Sequence, residues 1–250
     1  PLFQPTRACL APAVVKDASG GYHRRMVRAV LFDIDGTLIR TGGAGVRAFE
    51  RTGQSVFHVA DGVRHMRFAG RTDRSLVREF FHRHGIEATL ANFDRFLDHY
   101  VFVLDQLLGQ LKGQICPGVA DFIRDLQHLT RPPLLGLLTG NIRLGAEIKL
   151  RHFGLWDCFT TGAFGDDHED RNELAGIARD RVSQTLGRAL RGDEIVVVGD
   201  TPRDIECGRA IGARVLAVGT GGAESCELRA HRADWVVETL ADVSATAVCR

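Results

Sequence analysis

Asp33 and Asp35 stand two residues apart in Asp33-Ile34-Asp35-Gly36-Thr37, directly after an apolar run that begins at Ala29. Two acids entering a Gly-Thr turn repel each other and return nothing to the fold, so this pattern points to chemistry. Thr139-Gly140-Asn141 follows a second apolar run, Leu134–Leu138. Gly199-Asp200, with Asp204 four residues further on, follows a third, Ile195–Val198. In an open α/β sheet, ligands bind at the carboxyl ends of the strands. If these strands are neighbours, three or four carboxylates meet in one crevice. Such a set repels itself unless a cation intervenes, and an all-oxygen donor set prefers Mg²⁺. Taken singly, Asp200, Asp204 and Thr139 read as well as turn formers or helix N-caps. The three pieces together carry the argument.

The elements that must position these residues follow from the apolar pattern. Ala29–Ile34, Leu134–Leu138, Ile195–Val198, Val215–Val218 and Trp235–Val237 are short apolar runs suited to buried parallel strands. Val119, Phe122, Ile123, Leu126 and Leu129 make one apolar helix face, and a helix is predicted from about Glu173 to Leu190. Strands alternating with helices predict an α/β fold, a doubly wound parallel sheet with a Rossmann-like core. Residues 42–113 break that rhythm. Phe93, Phe96, Leu97, Tyr100, Val101, Leu104, Leu107, Leu108 and Leu111 form a wide helical stripe, with shorter ones around Phe49 and Phe80. No strand-like run interrupts them, so an all-helical insert of four or so helices is expected. The core is then residues 26–41 and 114–250. Residues 1–25 hold three prolines, a Gly-Gly pair and no periodicity, and read as an N-terminal extension outside it. They lack the apolar stretch of a secretory signal.

Composition narrows the partners. Net charge is +1 and the arginines are spread along the chain, so neither nucleic acid nor an anionic membrane is an expected partner. No apolar stretch is long enough to span a bilayer. Six cysteines lie far apart without a C-x-x-C pair, which suits free thiols in a reducing, cytoplasmic setting.

The strand ending Asp33-Ile34-Asp35-Gly36-Thr37-Leu38 resembles the first motif of the haloacid dehalogenase-like hydrolases. Leu137-Leu138-Thr139-Gly140-Asn141 is similar to the second, and Val198-Gly199-Asp200-Thr201-Pro202-Arg203-Asp204 to the fourth. The helical insert is similar to that family's cap. The third motif departs. The family usually carries a lysine there, and no lysine follows Lys149. Within Asp166–Glu173, Arg171 is the candidate substitute, with Arg179 as the fallback.

The resemblance implies a phosphatase acting on a small phosphorylated metabolite. Asp33 would be the nucleophile and Asp35 the acid and base. Thr139, with Gly36, Thr37, Gly140 and Asn141 around it, would hold the phosphoryl group, and Arg171 would neutralise its charge. Mg²⁺ would lie on Asp33, the Asp35 carbonyl and Asp200, with Asp204 orienting the site. An acid at Asp35 favours a phosphate ester over carbon–halogen chemistry, with a phosphomutase or a catalytically silent binding member as alternatives. Arg71, in Gly70-Arg71-Thr72-Asp73, resembles the cap segment that faces the site, and could take a substrate carboxylate such as that of phosphoglycolate. An N-cap role for Thr72 or Asp73 accounts for that segment equally well. The insert's apolar stripes leave monomer or homodimer open.

Two other classes fit less well. Gly43-Ala44-Gly45-Val46-Arg47-Ala48 matches a dinucleotide-binding fingerprint, but lies too far from the first strand and lacks the later acid. A P-loop is absent from the sequence. A receiver-like signalling module also carries strand-end acids, but needs no helical insert and about half this length.

Overall fold

The computed structural model describes residues 26–250; the extension expected at 1–25 lies outside the described residues. Six parallel strands form one sheet: β1 (Ala29–Phe32), β4 (Leu134–Leu138), β5 (Thr161–Ala163), β6 (Ile195–Gly199), β7 (Arg214–Val218) and β8 (Trp235–Val237). Their order is β5-β4-β1-β6-β7-β8, so the direction of winding reverses beside β1. Successive residues of β1 serve opposite layers. Val30 and Phe32 pack with α4 (Val119–Gln127) and α5 (Arg143–His152), whereas Ala29 and Leu31 pack with α6 (Arg171–Thr185) and α7 (Pro202–Ala210). Both faces are covered, which is why these strands read as unbroken apolar runs. Two short helices, α8 (Ser225–Ala230) and α9 (Ala245–Cys249), complete the layers.

A two-stranded antiparallel ribbon, β2 (Ile39–Arg40) with β3 (Gln114–Ile115), forms the neck of the insert. Between its strands lie α1 (Ala44–Phe57), α2 (Asp73–Arg83) and α3 (Leu90–Leu108). These helices close on their own core, where Phe49 and Phe96 have ring centroids 4.6 Å apart and Phe80 and Phe81 are fully buried. The cap therefore has three helices where the sequence suggested about four. Its residues 58–72 form turns instead, with His58, Asp61 and His65 at positive φ.

Two further elements differ from expectation. Helix α6 begins at Arg171, capped by the Asp170 carboxylate accepting from the Asn172 N–H at 2.7 Å, and ends at Thr185 rather than near Leu190. Gly187, at φ 69°, turns the chain out of the helix. Strand β5 is only three residues long and gives little periodic signal.

Candidate active site

The carboxyl ends of β1, β4 and β6 open into a cavity of about 470 Å³ between core and cap, lined by Asp33, Asp35, Thr139, Arg171 and Asp200 on the core side. Asp33 continues the ladder beyond β1, its N–H donating to Val198 O at 2.9 Å, which aims its side chain over the end of the sheet. The turn that follows is held by Thr220, whose hydroxyl donates to Gly36 O at 2.5 Å. Gly36 sits at φ 86°, and a Cβ there would lie 2.5 Å from Asp200 Oδ2. Only glycine lets the β1 turn approach the β6 carboxylate so closely.

Thr37 lies in the same turn and its hydroxyl donates to Asp200 Oδ1 at 2.9 Å. Arg171, the first residue of α6, is brought under the nucleophile position with its Nη2 3.4 Å from Asp33 Oδ1. The same guanidinium forms an ion pair with Asp204 Oδ1, while Asp204 Oδ2 accepts from the Thr201 N–H at 3.0 Å and the Thr201 hydroxyl at 2.6 Å. Asp204 is thus committed as the N3 member of a capping box on α7 and as the anchor of Arg171. Arg179, the fallback, pairs with its exposed neighbour Asp180 and does not line the cavity.

Electrostatics separate these acids from ordinary ones. Burial, opposed by Arg171 and reinforced by Asp204 and Asp35, pushes the Asp33 carboxyl up to about 7. Burial and the Asp204 and Asp33 charges raise Asp200 well above the usual carboxylate range. Asp33, Asp200 and Asp204 can each bring an oxygen within 4.8 Å of the others, and Arg171 is the cation buried among them. Three carboxylates against one guanidinium leave the equivalent of about two negative charges to be balanced in a dry site. With Asp204 occupied by Arg171 and Thr201, the oxygens of Asp33 and Asp200 remain for a hard divalent cation, and the donor set fits Mg²⁺.

The second strand end is arranged around Asp35. Thr139 is fully buried and its Oγ1 accepts from Asn141 Nδ2 at 2.9 Å. Asn141 Nδ2 also donates to Asp35 Oδ2 at 2.8 Å, so the Asn141 amide is engaged with the acid rather than pointing freely into the cavity. A residue that sequence reasoning passed over joins them. Lys149, buried on α5, donates to Asp35 Oδ2 and to Asn141 Oδ1, both at 2.6 Å. A signal for it existed. The chain has only three lysines, Lys16, Lys112 and Lys149, among 32 basic residues, and Lys149 follows Asn141 by about two helical turns.

The cap meets the core at Gly140. The Asp73 N–H donates to Gly140 O at 2.8 Å, and Asp73 Oδ2 accepts from the Ile142 N–H at 2.9 Å. A Cβ on Gly140 would collide with the Arg71 carbonyl. Thr72 is the N-cap of α2, accepting from the Ser75 N–H, and its hydroxyl donates to Glu169 O at 3.0 Å across the domain boundary. Arg78 adds a forked contact to the Glu169 carboxylate. Arg71 lines the cavity, but its guanidinium is paired with Glu79 on α2 and with Ser75 O. Burial pushes the Asp73 carboxyl up to about 6, against the attraction of Lys149.

Comparison with known proteins agrees with this geometry. The family model for haloacid dehalogenase-like hydrolases matches residues 30–218. A phosphoglycolate phosphatase of Chromobacterium violaceum is 28% identical over 230 residues, covering 87% of this chain and 95% of that protein. One from Rhodospirillum rubrum is 28% identical, covering 78% and 81%. One from Synechococcus elongatus is 31% identical, but over 52% of this chain and 58% of its own length. Among solved structures, CbbY from Rhodobacter sphaeroides in complex with phosphate superposes with a TM-score of 0.68 at 19% identity, covering 90% of this chain and 99% of that one. The fold is therefore shared well beyond sequence similarity. With the motif strands, the inserted helical cap and the family match together, the chain belongs to the haloacid dehalogenase-like hydrolases.

Proposed function

We propose that this enzyme is an Mg²⁺-dependent phosphatase that hydrolyses a small phosphate monoester through a phosphorylated Asp33. One observation carries the reading: Asp33 and Asp35 border a single cavity, with the Arg171 guanidinium 3.4 Å from Asp33. Nucleophile, proton carrier and charge-neutralising group are thus gathered around the space a phosphoryl group needs.

Asp33 Oδ attacks phosphorus while the bond to the leaving oxygen breaks and Asp35 gives that oxygen a proton. Water then attacks the phosphorus of the acyl phosphate, Asp35 takes its proton back, and Asp33 is released as a carboxylate. Thr139 and the backbone around Gly140 face the phosphoryl oxygens, and Arg171 balances their charge. When bound by Asp33, Asp200 and the Asp35 carbonyl, Mg²⁺ supplies the positive charge that keeps Asp33 ionised and screens it from the substrate phosphate. Asp204 holds Arg171 and α7 in place.

The substrate is small. A cavity of about 470 Å³ roofed by the cap suits a metabolite rather than a phosphoprotein. The names of the relatives make 2-phosphoglycolate the first compound to try. Arg71 lines the cavity and would take its carboxylate by exchanging Glu79 for the substrate. Five cysteines among the described residues are free, and no helix among those residues is long and apolar enough to cross a membrane. The free thiols suit a reducing, cytoplasmic setting.

The test is phosphate release from p-nitrophenyl phosphate and 2-phosphoglycolate, with and without Mg²⁺, for wild type and Asp33→Asn. Metal-dependent turnover that vanishes in the variant supports the reading. A variant as active as wild type removes Asp33 from the reaction and overturns it.

A further inference from the structure

Lys149 is one of the least accessible charged groups of the chain, its side chain 4% exposed, yet its partner Asp35 is 43% exposed at the cavity wall. An ammonium buried this far gives up much of its hydration, and the fold recovers that only through well-placed acceptors. Here both acceptors belong to the site. Lys149 Nζ lies 2.6 Å from Asp35 Oδ2 and 2.6 Å from Asn141 Oδ1. Asn141 Nδ2 meets the same Asp35 oxygen at 2.8 Å and reaches Thr139 Oγ1 at 2.9 Å. Two donors therefore converge on one oxygen of Asp35, and no described residue donates to the other.

The cap completes the arrangement from above. A Cβ on Gly45 would lie 3.7 Å from both Lys149 Nζ and the Tyr100 hydroxyl, so α1 and α3 roof the lysine without displacing it. Asp73 of α2 also faces it, its charge acting on the same side of the cavity. A larger residue at Gly45 would press on the ammonium. The lysine is held by the core and dried by the cap.

We infer that Lys149 is the positioning residue of Asp35: with Asn141 it pins Oδ2, so that Oδ1 is the oxygen that delivers the proton to the leaving group. This rests on the phosphatase reading given above. The bond from Asp33 to phosphorus forms, the phosphorus–oxygen bond to the alcohol breaks, and the Asp35 Oδ1 proton passes to that alcohol oxygen. The Lys149 side chain, paired with Asp35, balances the carboxylate left there.

The test compares wild type, Lys149→Met and Lys149→Arg on two probes, 2-phosphoglycolate and p-nitrophenyl phosphate. The alkoxide of the first needs a proton to leave; nitrophenolate does not. Since kcat/KM reports only the steps up to departure of the alcohol, later hydrolysis of the phosphorylated enzyme does not enter the comparison. Lys149→Met is expected to lower kcat/KM about 30-fold or more for 2-phosphoglycolate and less than about 5-fold for p-nitrophenyl phosphate, a part of the roughly 10²–10⁴-fold that a general acid contributes. Lys149→Arg restores part of that difference. An equal loss on both probes, which a merely structural lysine gives, overturns the inference; so does a rise in KM with kcat unchanged. A crystal structure of Lys149→Met is the second readout. The Asp35 carboxylate is expected to leave Asn141, and an unmoved carboxylate overturns the inference. That readout needs no turnover, so it judges Lys149 even if Asp33→Asn retains full activity and the phosphatase reading falls.

Discussion

Arg171 and Asp33 face each other from the start of α6 and the end of β1, both more than nine-tenths buried and 3.4 Å apart. We propose that Arg171 takes the part of the lysine that the resemblance leads one to expect. Its Nη2 serves two acids at once, Asp33 and Asp204, with a charge that arginine keeps at every working pH.

Arg171→Ala removes the cation from beneath two buried carboxylates. Activity is expected to fall at least about 100-fold, and stability by about 3 kcal/mol, as for other buried pairs left with one partner. Arg171→Lys should recover most of the stability and part of the activity. Kinetics and chemical denaturation of both variants check this.

Asp200→Asn separates metal binding from folding. Burial and the Asp204 and Asp33 charges hold the Asp200 carboxyl well above its usual range, so removing its charge relieves repulsion in the metal-free protein. The variant should melt at or above wild type in chelator. Wild type should then gain about 2.7 kcal/mol when Mg²⁺ is raised to a hundred times its Kd, and the variant almost nothing. Thermal melts with and without Mg²⁺ decide it.

Asp73 makes stability depend on pH. Its carboxyl lies at about 6 in the fold against 3.8 in an open chain, chiefly through burial. A raised value means that the folded state binds the proton more tightly. The associated stability is full below about pH 4 and is lost as pH rises through about 6. Asp73→Asn keeps an oxygen to accept the Ile142 N–H but does not titrate. Its stability relative to wild type should increase between pH 4 and 6.5, by on the order of 3 kcal/mol, and stay level above that. Denaturation at a series of pH values measures it.

Gly36→Ala tests the close approach of the β1 turn to Asp200. Positive φ and a Cβ 2.5 Å from Asp200 Oδ2 together cost about 1–3 kcal/mol. Mg²⁺ affinity should fall along with stability, because the strain is relieved by displacing a metal-binding carboxylate. Titration calorimetry with Mg²⁺ reads it.

The site was legible in sequence where a residue's position is fixed by the strand it follows. Asp33, Thr139 and Asp200 each sit one residue past β1, β4 and β6, and the apolar runs gave those strand ends to within two residues. Arg171 was reached through the resemblance, which puts the family's third motif within Asp166–Glu173. Lys149 was passed over: its scarcity and its spacing from Asn141 mark it, but its contact depends on a long side chain reaching back from the second turn of α5. Asp73 was hidden for a related reason. Its sequence context reads as an N-cap, but Thr72 does the capping and frees Asp73 to cross to Ile142. The missing fourth cap helix has a local cause, since Asp61-Gly62 and Ala69-Gly70 favour turns over helix.

The central claim is that phosphate passes through a covalent bond to Asp33. It is tested most directly by the stereochemical course at phosphorus, using an isotopically chiral thiophosphate ester hydrolysed in labelled water with Mg²⁺ present. Two displacements, first by Asp33 and then by water, predict retention of configuration. Inversion would mean that water attacks the substrate directly, and would contradict the role assigned to Asp33.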